Sequence, residues 1–119
     1  MAEPNLINTS SCYFKQLTFE NISTSGTTLV SSTTDKHKKV VSIFFCNTTG
    51  ATVTIDMYDS STAGSRYYLY QVDIPAKSTL VAVTKDTPIH FEEGSHSLVA
   101  LASGTGIDCH VNWEEYDDA

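Results

Sequence analysis

Positive charge is scarce in this chain. Seven Lys and Arg stand against fourteen Asp and Glu, a formal net charge of −7 over 119 residues, which is the wrong sign for a protein whose binding energy comes from neutralising phosphates. Nucleic acid is therefore not an expected partner. Long apolar runs are missing as well. Nothing approaches the roughly 18 uninterrupted apolar residues that a spanning helix needs, so no membrane partner is expected. The opening residues, Met1-Ala2-Glu3-Pro4-Asn5, have neither the basic start nor the apolar run of a secretory signal, and the expectation is a protein made and kept in a cytoplasm. Cysteine is sparse. Cys12, Cys46 and Cys109 are odd in number and show no C-x-x-C spacing, which argues against both a disulfide framework and a zinc ribbon. All three are read as buried small apolar residues.

The motifs of catalysis are absent in the same way. His37, His90, His96 and His110 form no H-E-x-x-H and no H-x-H pair with a carboxylate at ligand spacing, so they read as solvated or hydrogen-bonded histidines and no metal is expected. Gly64-Ser65-Arg66 lies in an expected loop, where the nucleophile elbow needs a strand-to-helix turn. Gly104-Thr105-Gly106 lacks the helix and lysine of a phosphate loop. Carboxylates cluster at Glu92-Glu93 and at the end of the chain, where solvation explains them more simply than a glycosidase pair. Three Asn sequons begin at Asn8, Asn21 and Asn47, but the abundance of Ser and Thr accounts for them without glycans. The expectation is a non-enzyme without cofactor.

What the chain does contain is the composition of an all-β domain. Ser and Thr make up about a quarter of it, and β-branched and aromatic residues dominate the apolar set. Ile107, Cys109, Val111 and Trp113 alternate with Asp108, His110, Asn112 and Glu114, the period of two of a half-buried strand. Residues Ala51 to Asp59 alternate likewise, whereas Lys39 to Cys46 is apolar on both faces and reads as a central strand. Asn47-Thr48-Thr49-Gly50 has the turn residues of a hairpin, so these two segments are expected to be antiparallel partners. Further strands are expected over Tyr67–Ile74, Ser78–Thr84, Pro88–Phe91, Ser97–Ala102 and Ile107–Glu115, and Tyr13–Phe19 and Thr27–Ser31 can be strands too. Starts spaced by about ten residues with short turns indicate a sandwich, not βαβ units. The fold expected is a single antiparallel β-sandwich, immunoglobulin-like or jelly-roll, over residues 13–119. Residues 1–12 are expected to form an extended N-terminal arm with little to bury.

Two features stand out as candidate interfaces. Charge is polarised: Lys36, Lys38 and Lys39 are three of the seven basic residues, while Glu114, Glu115, Asp117 and Asp118 hold four of the fourteen acids in the last six positions. A basic loop over Lys36–Lys39 could meet the acidic end of a neighbouring copy and set register. The second feature is a tyrosine group, Tyr67, Tyr68 and Tyr70 with Tyr58 nearby. Tyr68 and Tyr70 are expected on one face of one strand by the period of two, and such aromatics serve protein interfaces and sugar platforms.

The order of segments then becomes familiar: an apolar strand ending in Cys46-Asn47-Thr48-Thr49, a Thr-Val-Thr-Ile strand, Val72-Asp73-Ile74-Pro75-Ala76-Lys77-Ser78-Thr79-Leu80, Phe91-Glu92-Glu93-Gly94-Ser95-His96-Ser97-Leu98-Val99-Ala100, and a closing Asp108-Cys109-His110-Val111-Asn112-Trp113-Glu114. Over Lys39 to Glu115 this resembles the small all-β structural proteins of tailed-bacteriophage particles. The N-terminal third matches nothing in that pattern. The resemblance implies a virion protein assembled in a bacterial host cytoplasm, with other copies of itself and the major capsid protein or tail proteins as partners. Capsid decoration is the first function it implies. The alternative is a tail, neck or fibre module that binds a host carbohydrate or receptor, with Tyr67, Tyr68, Tyr70 and Asp59 as its platform.

Overall fold

The alternating segments of the sequence become strands in the computed structural model, which describes residues 12–61, 65–91 and 96–117. In chain order they are β1 (Cys12–Phe19), β2 (Thr27–Ser31), β3 (Lys36–Asn47), β4 (Val53–Ser61), β5 (Arg66–Ile74), β6 (Thr79–Val83), β7 (Ile89–Phe91), β8 (His96–Ala102) and β9 (Ile107–Asp117). No helix occurs among the described residues. Of the arm expected over residues 1–12, residues 1–11 lie outside the described residues, and Cys12 opens β1.

Two antiparallel sheets result. The first has the order β1-β9-β3-β6, with β7 pairing further along β3; the second has the order β2-β8-β4-β5. The pairs are nested: β4 with β5, then β3 with β6 and β7, then β2 with β8, then β1 with β9. Successive pairs alternate between the sheets, so the chain is one long hairpin wound into a sandwich. Of the two topologies open from sequence, this is the jelly roll. The period-two faces meet between the sheets, where Ile43, Phe45, Ile55, Met57, Leu98 and Val111 are fully buried. Each such side chain contributes about 1.5–3 kcal/mol by leaving water.

The expected β3–β4 hairpin is not formed. β3 belongs to the first sheet and β4 to the second, so the turn carries the chain across the core instead of along one sheet. Asn47, fully buried, explains the change of direction. Its amide donates to the carbonyls of Ala51 (2.8 Å) and Ile74 (2.9 Å), and its Oδ1 accepts from Thr49 N (2.9 Å). Those bonds tie the β3–β4 crossing to the end of β5. Nearby, the Gly106 carbonyl accepts from Thr48 N at 2.9 Å, and Gly106 N donates to Asn21 Oδ1 at 2.8 Å. Three crossings are thus joined at one end of the sandwich.

Gly106 holds φ +98°, and a Cβ there would meet Thr49 Cγ2 at 2.2 Å. Thr49 is held by Asn47 and cannot easily retreat. Gly106→Ala is expected to destabilise the protein by about 2 kcal/mol or more, from left-handed strain plus displacement of the turn. A urea unfolding midpoint equal to that of the wild type would contradict this.

Candidate interaction surface

The charged segments come together, but inside one chain. Lys36–Lys39 is not a loop: it opens β3, extended by pairing with the end of β9 on one side and with β7 on the other. The register sets Lys36 opposite Asp117, Lys38 opposite Glu115 and Lys39 opposite Glu114. Lys36 Nζ bonds the Asp117 carboxylate and lies 3.7 Å from Glu115. Lys38 Nζ lies 3.7 Å from Glu115, donates to the Ser31 carbonyl at 2.6 Å and stands 5.9 Å from the centre of the Trp113 ring. Lys38 and Glu115 are both buried. Burial pushes the Lys38 ammonium below its ordinary pKa against the pull of Glu115, while the hydrogen bond to Asp117 raises that of Lys36. Tyr116 donates to Glu114 at 2.5 Å, and that bond raises the phenol well above its usual range. Lys36, Lys38, Glu115 and Asp117 thus pair with one another within one chain. Asp118 lies outside the described residues.

The tyrosines are separated by a bulge. Met57 faces Tyr70 across the β4–β5 ladder, but its neighbour Tyr58 faces Tyr68, which leaves Leu69 as the extra residue. The bulge reverses the alternation. Tyr70 is therefore half-buried against the core, while Tyr68 turns to the outer face, its ring 5.4 Å from that of Tyr58. The two do not share a face as the plain period of two requires. The Arg66 guanidinium covers Tyr58 at 4.7 Å, and Asp59 is engaged by His96 Nδ1 at 3.3 Å. The large hydrophobic side chains that stay exposed on β5 are Tyr67, Tyr68 and Leu69.

A third exposed group was not legible as a site. Tyr13, Phe14 and Leu17 lie open on β1, Phe14 with 82% of its surface exposed. The only signal in the sequence is that Phe14 interrupts the polar side of an otherwise alternating Tyr13, Lys15, Leu17, Phe19 strand. Among the described residues, eight large hydrophobic side chains are exposed; seven of them lie on β1, β5 or β6, and Phe44 alone lies on an inner strand. Since β1, β5 and β6 are all edge strands, exposed apolar surface follows the sheet edges. Phe44 borders an open depression of about 600 Å³ on the outer face of the first sheet, with Thr18, Cys46 and His110 around it.

The cysteines divide by environment, and only one is the buried apolar residue expected of all three. Cys109 is buried, Cys46 partly so, and Cys12 is exposed at the start of β1. Strand position explains this: Cys109 points into the core, whereas Cys12 opens the edge strand β1. Burial pushes the Cys109 thiol up to about 12, which leaves it unreactive at neutral pH. Maleimide labelling read by mass spectrometry is expected to modify Cys12 in the native protein and Cys109 only after unfolding. Native labelling of Cys109 at the rate of Cys12 would contradict the placement.

No protein-family model matches the chain, and no curated protein matches it in sequence. Among solved structures, it is similar to a chain described under "Bacillus endospore appendages form a novel family of disulfide-linked pili", at 8% identity and a TM-score of 0.50 over 91% of this chain and 88% of that one. A chain of the "Structure of infectious bursal disease virus Gt strain" aligns at 12% identity over 92% of this chain and 36% of that one, with a TM-score of only 0.26. The first likeness is one of fold: the jelly-roll architecture recurs in a protein of nearly unrelated sequence.

Proposed function

We propose that this chain is a non-enzymatic structural subunit that acts by packing its sheet edges against other protein surfaces in a repeating assembly. The observation that carries the proposal is the concentration of exposed apolar side chains on edge strands. Such patches mark protein contacts, and an edge adds a row of unpaired backbone donors and acceptors. The similar fold in endospore appendages is, by its description, that of a pilus, an assembly of repeated units. The setting proposed is the particle of a tailed bacteriophage, in keeping with the resemblance over Lys39 to Glu115, and the role there is decoration of the capsid. Many identical weak contacts then sum to firm attachment through multivalency. The experiment is co-sedimentation of purified protein with phage heads stripped of it. Binding that saturates at a fixed ratio to the capsid protein is expected, and the absence of saturable binding would overturn the role.

Tyr67 and Tyr68, consecutive exposed residues of β5 on opposite faces of the strand, favour a second reading, a tail or neck module that holds a host carbohydrate against an aromatic face. Saturable binding of bacterial surface glycans, lost in a Tyr67→Ala, Tyr68→Ala double variant, is its expected result. Binding unchanged in that variant would remove the platform.

A further inference from the structure

We propose that β1 is a self-pairing edge through which two copies of this chain join, antiparallel about a two-fold axis, so that the first sheet runs continuously from one copy into the other. The inference deepens the structural reading above and rests on it. It comes from comparing the four edges of the sandwich. Natural sheets protect their edges with short strands, bulges, charges and proline. β2 has five residues and a register shift between Thr28 and Val30. The opposite edge of the first sheet is split into β6 and β7 by a segment that contains Lys85, Asp86 and Pro88. β5 carries the Leu69 bulge and begins with Arg66.

β1 has only one of these devices, the charge of Lys15. Its eight residues pair with β9 without a break, from Cys12 opposite Tyr116 to Phe19 opposite Cys109. It contains no proline and no acidic residue, and its one charge is Lys15. Tyr13, Phe14 and Leu17 are exposed along it. Among the described residues, no strand pairs with its outer side.

Symmetry and charge then select the register. In an antiparallel pair that merges two sheets, opposite residues must share a face, so the two-fold passes beside a residue and the two numbers add to an even sum. An axis at Lys15 sets two ammonium groups opposite each other, which is unfavourable. An axis at Phe14 or Leu17 shortens the overlap to the residues 12–16 or 15–19. The axis at Gln16 keeps the residues 13–19 paired and places Lys15 opposite Leu17, Phe14 opposite Thr18 and Tyr13 opposite Phe19 of the second copy. It gives the longest overlap that avoids like charges. The contact is isologous and closes at two copies.

Salt separates this pairing from one made by charge. Each copy carries −7, so the bodies repel, and screening tightens an apolar, backbone-bonded contact while it weakens a lysine–carboxylate one. The test is sedimentation equilibrium of the 119-residue chain and of two variants, Gln16→Lys and Thr34→Lys, with thermal melts to confirm folding. Gln16 and Thr34 are exposed in the single chain, and Thr34 lies off every strand, so both variants keep the fold. The expected result is a mass of twice 13.0 kDa for the wild type, tighter association in added salt, about tenfold weaker association for Gln16→Lys, and no change for Thr34→Lys. A folded wild type that stays monomeric at high concentration would overturn the proposal. So would a dimer that Gln16→Lys leaves intact or that Thr34→Lys dissolves. A monomer that still binds stripped phage heads would end the β1 pairing and leave the structural role standing, whereas a dimer without such binding does the reverse.

Discussion

Replacing Asn47 by alanine is expected to destabilise the protein by about 3 kcal/mol or more. Asn47 is fully buried, and its amide satisfies the carbonyls of Ala51 and Ile74 while its Oδ1 takes the Thr49 N–H. Alanine removes these bonds together with two more, the amide's to the Pro75 carbonyl (3.3 Å) and the one Oδ1 accepts from Thr49 Oγ1 (2.7 Å). A buried polar group left without a partner costs about 1–3 kcal/mol, more than the net worth of the bond itself. The loss is amplified by position, since Asn47 turns the chain between the two sheets. Urea denaturation should show a lower midpoint with an unchanged slope, because the unfolded surface is the same. A loss under about 1 kcal/mol would mean that water replaces the amide and that the crossing is held elsewhere.

Glu115→Ala is expected to be comparably severe, at about 3 kcal/mol, whereas Lys38→Met with Glu115→Leu together is expected to lie near the wild type. Breaking one side of a buried ion pair leaves an uncompensated charge, but replacing both sides by apolar groups of similar size is often neutral. Lys38 is held between Glu115, the Ser31 carbonyl and the face of Trp113, and only Glu115 is ionic. The single variant should also gain stability as pH rises. Lys38 already has a pKa below its ordinary 10.5 because of burial, and removing Glu115 lowers it further. The unfolded chain then binds that proton more tightly than the folded one, so the penalty is full at pH below the folded value and fades as pH rises through it. Equal stability of the single and double variants would show that the pair is solvated.

Much of the fold was legible because hydrophobic period survives in most strands. Ile107, Cys109, Val111 and Trp113 face the core as their alternation requires, and β5 to β9 lie within a residue or two of the segments expected. Pairing was less legible. A turn sequence with Asn and Gly fits a hairpin as well as a crossing, and the decisive bonds of Asn47 reach Ile74, 27 residues away. Bulges are equally silent: nothing in Tyr67-Tyr68-Leu69-Tyr70 marks Leu69 as the extra residue that sends Tyr68 outward. At the charged end, sequence reasoning singled out Lys36, Lys38, Glu115 and Asp117 as charges that could meet across two copies, and it had no register to show that β3 and β9 are neighbours in one chain. Tyr13 and Phe14 were legible only as part of a possible strand, since only topology reveals that β1 lies at an edge.

A repeated building part of a phage particle, the role proposed for this chain, must be present in the purified particle in a fixed number of copies. Quantitative mass spectrometry against the major capsid and tail-tube proteins gives that number. Hundreds of copies in simple ratio to the capsid protein are the result expected for decoration of the shell. A few copies, in a small multiple of three or six, would move it to the neck, baseplate or fibres. Absence from the particle would contradict that role.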